Sequence, residues 1–182
     1  KSAQLAAAGA RLTAVDLADA RLARLADNLK RLGLEAECIA ADVTTWEPGR
    51  TFEAVLLDAP CTATGTIRRH PDILRLKRES DLAAVAETQA RLLAASGRLT
   101  AAGGLLVYCT CSLEPEEGRQ QVERFLADNA DFALAPIVAG EAGVIAEWIT
   151  SEGELRTLPC HLADATPPGL DGFYAARMRR AG

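Results

Sequence analysis

Short apolar runs, each followed by an aspartate, alternate with helical stretches over the first part of the chain, and this alternation restricts the fold more than any other feature. Arg11 to Asp16 (RLTAVD) reads as a buried strand, after which Leu22, Leu25, Leu29 and Leu32 recur at helical spacing until Gly33 ends the helix. Glu35 to Ala40 is the next strand candidate, followed by Asp42; Phe52 to Leu57 (FEAVLL) is a third, followed directly by Asp58. Gly104 to Tyr108 (GLLVY) is a fourth, with a helix over Asp81 to Ser96 before it. Strands joined through helices run parallel, so the expected class is α/β, with a mostly parallel sheet covered by helices on both faces. Pro115 to Asn129 predicts a further helix, opened by Pro and acidic residues and carrying Val122, Phe125 and Leu126 as its apolar stripe. Phe132 to Leu134, Glu154 to Leu158 and Phe173 to Met178 are short strand candidates separated by Gly and Pro, including Pro167-Pro168-Gly169; they predict an antiparallel C-terminal edge.

With 182 residues, 49% of them apolar, the chain can bury one sizeable core, and a single domain over 1–182 is expected. No run approaches the roughly 18 apolar residues of a membrane span, and the N-terminus lacks the basic-then-apolar layout of a signal peptide. A cytoplasmic protein without membrane contact is expected. The five cysteines, Cys38, Cys61, Cys109, Cys111 and Cys160, lack the spacing of a disulfide framework, so free thiols are expected. A net charge of −5 opposes a surface that coats nucleic acid throughout; any such contact has to be local.

In open α/β sheets ligands lie outside the carboxyl ends of the strands, which is where Asp16, Asp42 and Asp58 fall. Asp16 is placed to accept ribose hydroxyls, and Asp42 to meet an adenine amino group. An Asp after a strand is commonly a turn former or helix cap, but recurrence after three successive strands favours a ligand role. Asp58-Ala59-Pro60-Cys61 sets a carboxylate and a thiol together at the sheet rim, ahead of a long polar loop from Thr62 to Arg78. Within it Arg68, Arg69, His70, Arg75, Lys77 and Arg78 could grip a phosphate backbone, the alternative being a plain solvated surface. A second thiol pair, in Tyr108-Cys109-Thr110-Cys111-Ser112, follows the GLLVY strand, so the two thiol sites should be spatial neighbours. Cys109 and Cys38 read as small core residues. Cys111 lies past the strand, where substrate can reach it and nearby positive charge or a helix N-terminus can favour the thiolate. Cys109, Cys111, Cys160 and His161 match no common zinc spacing, so no metal is expected. His161 has no evident carboxylate or serine partner for a hydrolytic triad.

DAPCTATG at Asp58 to Gly65 and YCTCSLEPEEG at Tyr108 to Gly118 resemble the Sun/Nop2 family of RNA 5-methylcytosine methyltransferases, with the bacterial small-subunit rRNA branch closest. The resemblance runs over nearly the whole chain, from KSAQLA at Lys1 through VDLADARLARLADNLKRLG to LRTLPCHL and DGFYAARMRR. It implies a Rossmann-like fold that uses S-adenosylmethionine and acts on RNA, rRNA in that branch. It further implies that Asp16 binds the cofactor ribose, that Asp42 lies against the adenine, and that Asp58 borders the methionine end and the target cytosine. Cys111 matches the family nucleophile, and Cys61 the cysteine that aids release of methylated RNA. Where the family usually has Ser-Gly after the second cysteine, this chain has Thr62-Ala63. Lys1 matches the lysine ending the family's glycine-rich cofactor loop, which predicts that the first strand and most of that loop lie outside this sequence, with an N-terminal RNA-binding domain. The motifs specify neither a particular cytosine nor an oligomeric state.

The implied chemistry needs a thiolate to add at cytosine C6, because C5 is otherwise a poor nucleophile, and the base must be single-stranded or flipped out of its stack. Three rivals differ in testable ways. A DNA cytosine methyltransferase would use Cys61 as nucleophile, and the later Cys-Thr-Cys element argues against it. A nicotinamide oxidoreductase needs G-x-G-x-x-G after a strand, which this sequence lacks. A non-catalytic RNA-binding or ribosome-assembly protein on the same fold has no need of both cysteines.

Overall fold

The computed structural model describes residues 1–166 and 168–182, with Glu79 described by its backbone alone; Pro167, the start of the Pro-Pro-Gly break, lies outside the described residues. The chain divides into two compact units, Lys1–Gly49 and Arg50–Gly182.

The first unit runs α1 (Ser2–Ala7), β1 (Thr13–Asp16), α2 (Asp19–Leu32) and β2 (Glu37–Ala40). α1 has no apolar periodicity to announce it. β1 and β2 pair in parallel with Thr13 opposite Glu37 and Asp16 opposite Ala40, as expected of strands joined through a helix. Leu22 and Leu29 of the predicted stripe are buried, while Leu32, in the last turn, is exposed. Gly33 takes the left-handed conformation (φ 66°) and its N–H, with that of Leu34, closes the final turn on Lys30 and Leu29 carbonyls. Asp19 in the first turn and Lys30 and Arg31 in the last complement the helix dipole. Cys38 is exposed and not in the core as the sequence suggests. Side chains alternate across a strand, and in β2 the better-covered side belongs to Ile39.

The second unit continues with β3 (Phe52–Asp58), α3 (Ile73–Leu76), α4 (Glu79–Leu99), β4 (Thr100–Thr110), α5 (Arg119–Asp128), β5 (Phe132–Leu134), β6 (Leu155–Thr157) and β7 (Phe173–Arg180). β3 and β4 pair in parallel; β7 is antiparallel to β4 and to β5 and β6, which pair with opposite ends of β7. The antiparallel C-terminal edge is therefore present. β4 is longer than GLLVY predicts, because it begins directly from α4 and bends at Gly103 (φ 72°), near the register shift between Phe52 and Ala54. Leu93 of α4 and Val122 and Phe125 of α5 share one apolar cluster with Leu106, Tyr108, Tyr174, Ala176 and Met178. Phe125 and Phe132 meet edge to face at 5.1 Å. Both long helices of this unit thus lie on one face of its sheet. On the other side of β7, Arg177 is held by the carbonyls of Ala135 and Pro136 and by Glu141. The predicted helix from Pro115 begins as a single 3₁₀ turn, Pro115–Glu117, and becomes α-helical after Gly118. A Cβ at Gly118 would stand 3.2 Å from the Tyr174 ring, a tight contact that the ring would have to yield to by a few tenths of an ångström. Among the described residues no helix is long and apolar enough to cross a membrane.

Candidate active site

Parallel pairing puts the carboxyl ends of β3 and β4 side by side, with Asp58 in register with Cys109. The segments that leave those ends stay joined: Ala59 N–H donates to the Cys109 carbonyl and Gly65 N–H to the Cys111 carbonyl, each at 3.0 Å. As a result the Sγ atoms of Cys61 and Cys111 lie 3.4 Å apart, far beyond the roughly 2.05 Å of a disulfide and within reach of an S–H···S contact. The hydrogen bond to Cys111, followed by burial and by negative charge on Cys111, pushes the Cys61 thiol well above its ordinary range. Cys61 therefore holds its proton firmly. Cys109 is buried, as the sequence suggests, and its thiol points to the Asp58 carboxylate at 3.7 Å. The two sequence-predicted thiol sites are one place.

Small polar side chains bind the two segments together. Ser112 Oγ lies 3.3 Å from Thr62 Oγ1 and 3.2 Å from Thr64 Oγ1, and Thr64 Oγ1 accepts the Leu113 N–H at 2.9 Å. Arg156 of β6 donates to the Ser112 and Leu113 carbonyls. At Gly65 an added Cβ would fall 2.0 Å from the Gly172 carbonyl oxygen and 2.7 Å from that of Cys111. At the Thr62-Ala63 departure Ala63 takes the left-handed region (φ 61°), a conformation that favours glycine over alanine. Two residues that sequence reasoning passed over contribute as well. Gln89 of α4 and Glu117 are fully buried and reach the peptide groups on either side of Cys61. The only signal for Gln89 was a polar residue at helical spacing between Val85 and Leu93, on the buried stripe of α4.

The basic loop is partly neutralised within the fold. Asp171 accepts the Arg69 guanidinium through Nε and Nη2 and lies 3.5 Å from Arg68, and the Arg69 hydrogen bond holds its carboxyl below the ordinary range. His70, Arg75, Lys77 and Arg78 have exposed side chains.

In the first unit Asp16 ends β1 and Asp42 lies two residues past β2, so both carboxylates stand at the carboxyl edge of this two-stranded sheet. Arg21 donates to both oxygens of Asp16, and the Ala18 N–H to one of them; the Arg21 bond is the largest influence holding Asp16 below its usual pKa. Asp42 Oδ1 accepts both the N–H and the hydroxyl of Thr44, the turn-forming role that aspartates commonly take here. A partly exposed carboxylate at a strand end could accept the hydroxyls of a ribose, in competition with Arg21. Lys1 is exposed and its carbonyl caps α1 by accepting the Leu5 N–H.

Among the described residues no three His, Cys, Asp or Glu side chains gather as metal ligands. His161 is buried, with Nδ1 accepting the Leu158 N–H at 3.1 Å, a turn-stabilising role; Cys160 is exposed.

Residues 2–179 match the family model described as 16S rRNA methyltransferase RsmB/F. The chain is 44% identical over 175 residues to ribosomal RNA small subunit methyltransferase B of Sodalis glossinidius, covering 94% of this chain and 37% of that protein. It is 40% identical over 174 residues to the protein of the same name from Shewanella oneidensis, covering 94% and 38%. The chain thus spans little more than a third of the length of these curated relatives. Its fold is similar to a solved methyltransferase homologue from Pyrococcus horikoshii, with a TM-score of 0.70, 29% identity and coverage of 93% of this chain and 53% of that one. The architecture is the Rossmann-like α/β fold of methyltransferases.

Proposed function

This chain belongs to the 16S rRNA methyltransferase RsmB/F family, the bacterial small-subunit branch that its cysteine motifs resemble, and from that premise we propose that it methylates C5 of a cytosine in ribosomal RNA through a covalent Cys111–C6 adduct. The observation that carries this reading is the Cys61–Cys111 pair, 3.4 Å apart at the ends of neighbouring parallel strands, with the Cys61 thiol pushed above its ordinary range.

Cys111, as the thiolate, adds to C6 of a base held out of its stack, and the electron pair displaced from the C5–C6 bond makes C5 nucleophilic. S-adenosylmethionine, when bound, would supply the electrophilic methyl group for C5; Asp16 and Asp42 of the first unit would hold its adenosine, and Lys1 of that unit is a family-implied contact of its methionine end. Asp58 is assigned to the N3 and N4 edge of the cytosine. Loss of the C5 proton to a base then re-forms the C5–C6 double bond as the C6–S bond breaks and the pair returns to Cys111 sulfur. The Cys61 thiol, 3.4 Å from that sulfur, can donate its S–H to the departing thiolate and so favours release. This division of labour also disfavours Cys61 as nucleophile, since a thiol with a raised pKa is mostly protonated at neutral pH.

A 16S rRNA transcript carrying 5-fluorocytosine tests the reading, because fluorine leaves no C5 proton to remove and the adduct should persist. Peptide mapping of the trapped complex should find the base on Cys111. Attachment at Cys61, or no attachment in a chain that binds the transcript and cofactor, would overturn it.

A further inference from the structure

We infer that Gln89 and Glu117 form a buried clamp that positions Cys61, an inference that rests on Cys61 acting in release. Cys61 sits in a segment without regular structure, and the two peptide groups that flank it are each held by one of these side chains. Gln89 Nε2 donates to the Pro60 carbonyl at 2.8 Å, and Glu117 Oε1 accepts the Thr62 N–H at 2.9 Å. The clamp is closed on itself, since Gln89 Nε2 also donates to Glu117 Oε1 at 3.0 Å, and Glu117 Oε2 accepts the Thr62 hydroxyl.

Glu117 is tied just as directly to the strand that carries Cys111. Its carbonyl accepts the Tyr108 hydroxyl at 2.7 Å and the Thr110 hydroxyl at 3.4 Å, both from β4. One residue therefore grips the Cys61 segment with its side chain and the Cys111 strand with its backbone. That fixes the separation of the two sulfurs through a path of short bonds.

The arrangement carries local costs that a purely space-filling core would avoid. Gln89 and Glu117 are both 0% exposed, and a carboxylate removed from water needs compensating donors. Among the described residues Gln89 Oε1 is buried without a hydrogen-bond partner. Turning the amide over would satisfy nothing, because it would set Oε1 against the Pro60 carbonyl and the Glu117 carboxylate, both acceptors. A stranded oxygen is thus accepted in exchange for holding the Pro60 carbonyl.

The test uses the full chain. In a Cys111→Ser background, alkylation of Cys61 by iodoacetamide, followed by mass spectrometry of its peptide, should accelerate about five- to tenfold in Glu117→Ala and Gln89→Met, the ratio set by losing a net hydrogen bond. Glu117→Gln keeps an acceptor for the Thr62 N–H and should largely restore the slow rate. With Cys111 intact, Glu117→Ala should accumulate a methylated RNA adduct on denaturing gels, as Cys61→Ala should. Unchanged alkylation in both Glu117→Ala and Gln89→Met overturns the clamp, whatever the RNA assay shows. Faster alkylation with no adduct in either Glu117→Ala or Cys61→Ala leaves the clamp standing and removes the release role. Adduct in Cys61→Ala but none in a folded Glu117→Ala overturns the inference, and if Glu117→Ala does not fold, Gln89→Met decides on the same readouts.

Discussion

Cys61 and Cys111, fifty residues apart in sequence, hold their sulfurs 3.4 Å apart, with the Cys61 thiol pushed above its ordinary range. The relationship follows from two parallel strands that end at the same edge and from the backbone bonds that tie their exits together. It gives the two sulfurs different surroundings and holds Cys61 protonated before any substrate arrives.

Those differences predict opposite consequences for removing either thiol. Cys111→Ala has no nucleophile and should lose both adduct and methyl transfer, a drop of several orders of magnitude. Cys61→Ala should still transfer the methyl group once but leave RNA attached, visible as a slow band on a denaturing gel. If Cys111→Ala kept activity, Cys111 would be a structural thiol and a non-catalytic RNA-binding role would take precedence.

Stability should decline on the alkaline side. Burial chiefly, with nearby negative charge, raises Tyr108, and burial together with the bond to Glu154 raises Tyr174; the Cys111 hydrogen bond and burial raise Cys61. Unfolded, these groups titrate near about 8.5 for the thiol and about 10 for the phenols. Above those values the folded chain binds more protons than the unfolded one, so stability is complete below roughly pH 8 and falls as pH rises. Melting temperatures between neutral and alkaline pH should show this fall, and Tyr174→Phe should reduce its slope. The same change deprives buried Glu154 of its 2.6 Å hydroxyl donor and should cost about 1–3 kcal/mol at neutral pH. A flat alkaline profile would remove the tyrosine and thiol assignments.

Gly65→Ala should be damaging although Gly65 does not need a left-handed backbone. Its Cβ would overlap the Gly172 and Cys111 carbonyls, so the Cys61 segment must move away from β4. We expect a loss of about 1–3 kcal/mol in denaturant melts, with a larger proportional loss of adduct formation. Unchanged adduct yield would show that the segment can shift without disturbing the sulfur pair.

RNA binding by the basic loop should depend on Asp171. Replacing Arg68, Arg69 and Lys77 with alanine should weaken binding and reduce the salt slope by roughly one unit for each phosphate left without a cation. Asp171→Asn releases Arg68 and Arg69 from their acidic partner and should tighten RNA binding at low salt. An unchanged slope in the triple variant would leave the loop a solvated surface, and weaker binding in Asp171→Asn would show that the ion pair orders the loop for RNA.

Much of this was legible from local pattern. The leucine spacing of α2 with Gly33 beyond it, the apolar runs of β3 and β4, and the three short edge strands follow from side-chain period and turn chemistry, which act over a few residues. The aspartates at strand ends and the cysteines after β3 and β4 could be placed at a sheet rim for the same reason, and the two motifs sufficed to indicate the family. Tertiary structure alone decided what depends on partners distant in sequence. It paired Asp171 with Arg69 across 102 residues, left Cys38 exposed, gave Asp42 a turn to hold, and brought Gln89 and Glu117 to the peptides beside Cys61. Hydrogen bonds and burial are set by which surfaces meet after the chain has folded, and no period of two or 3.6 residues encodes those meetings.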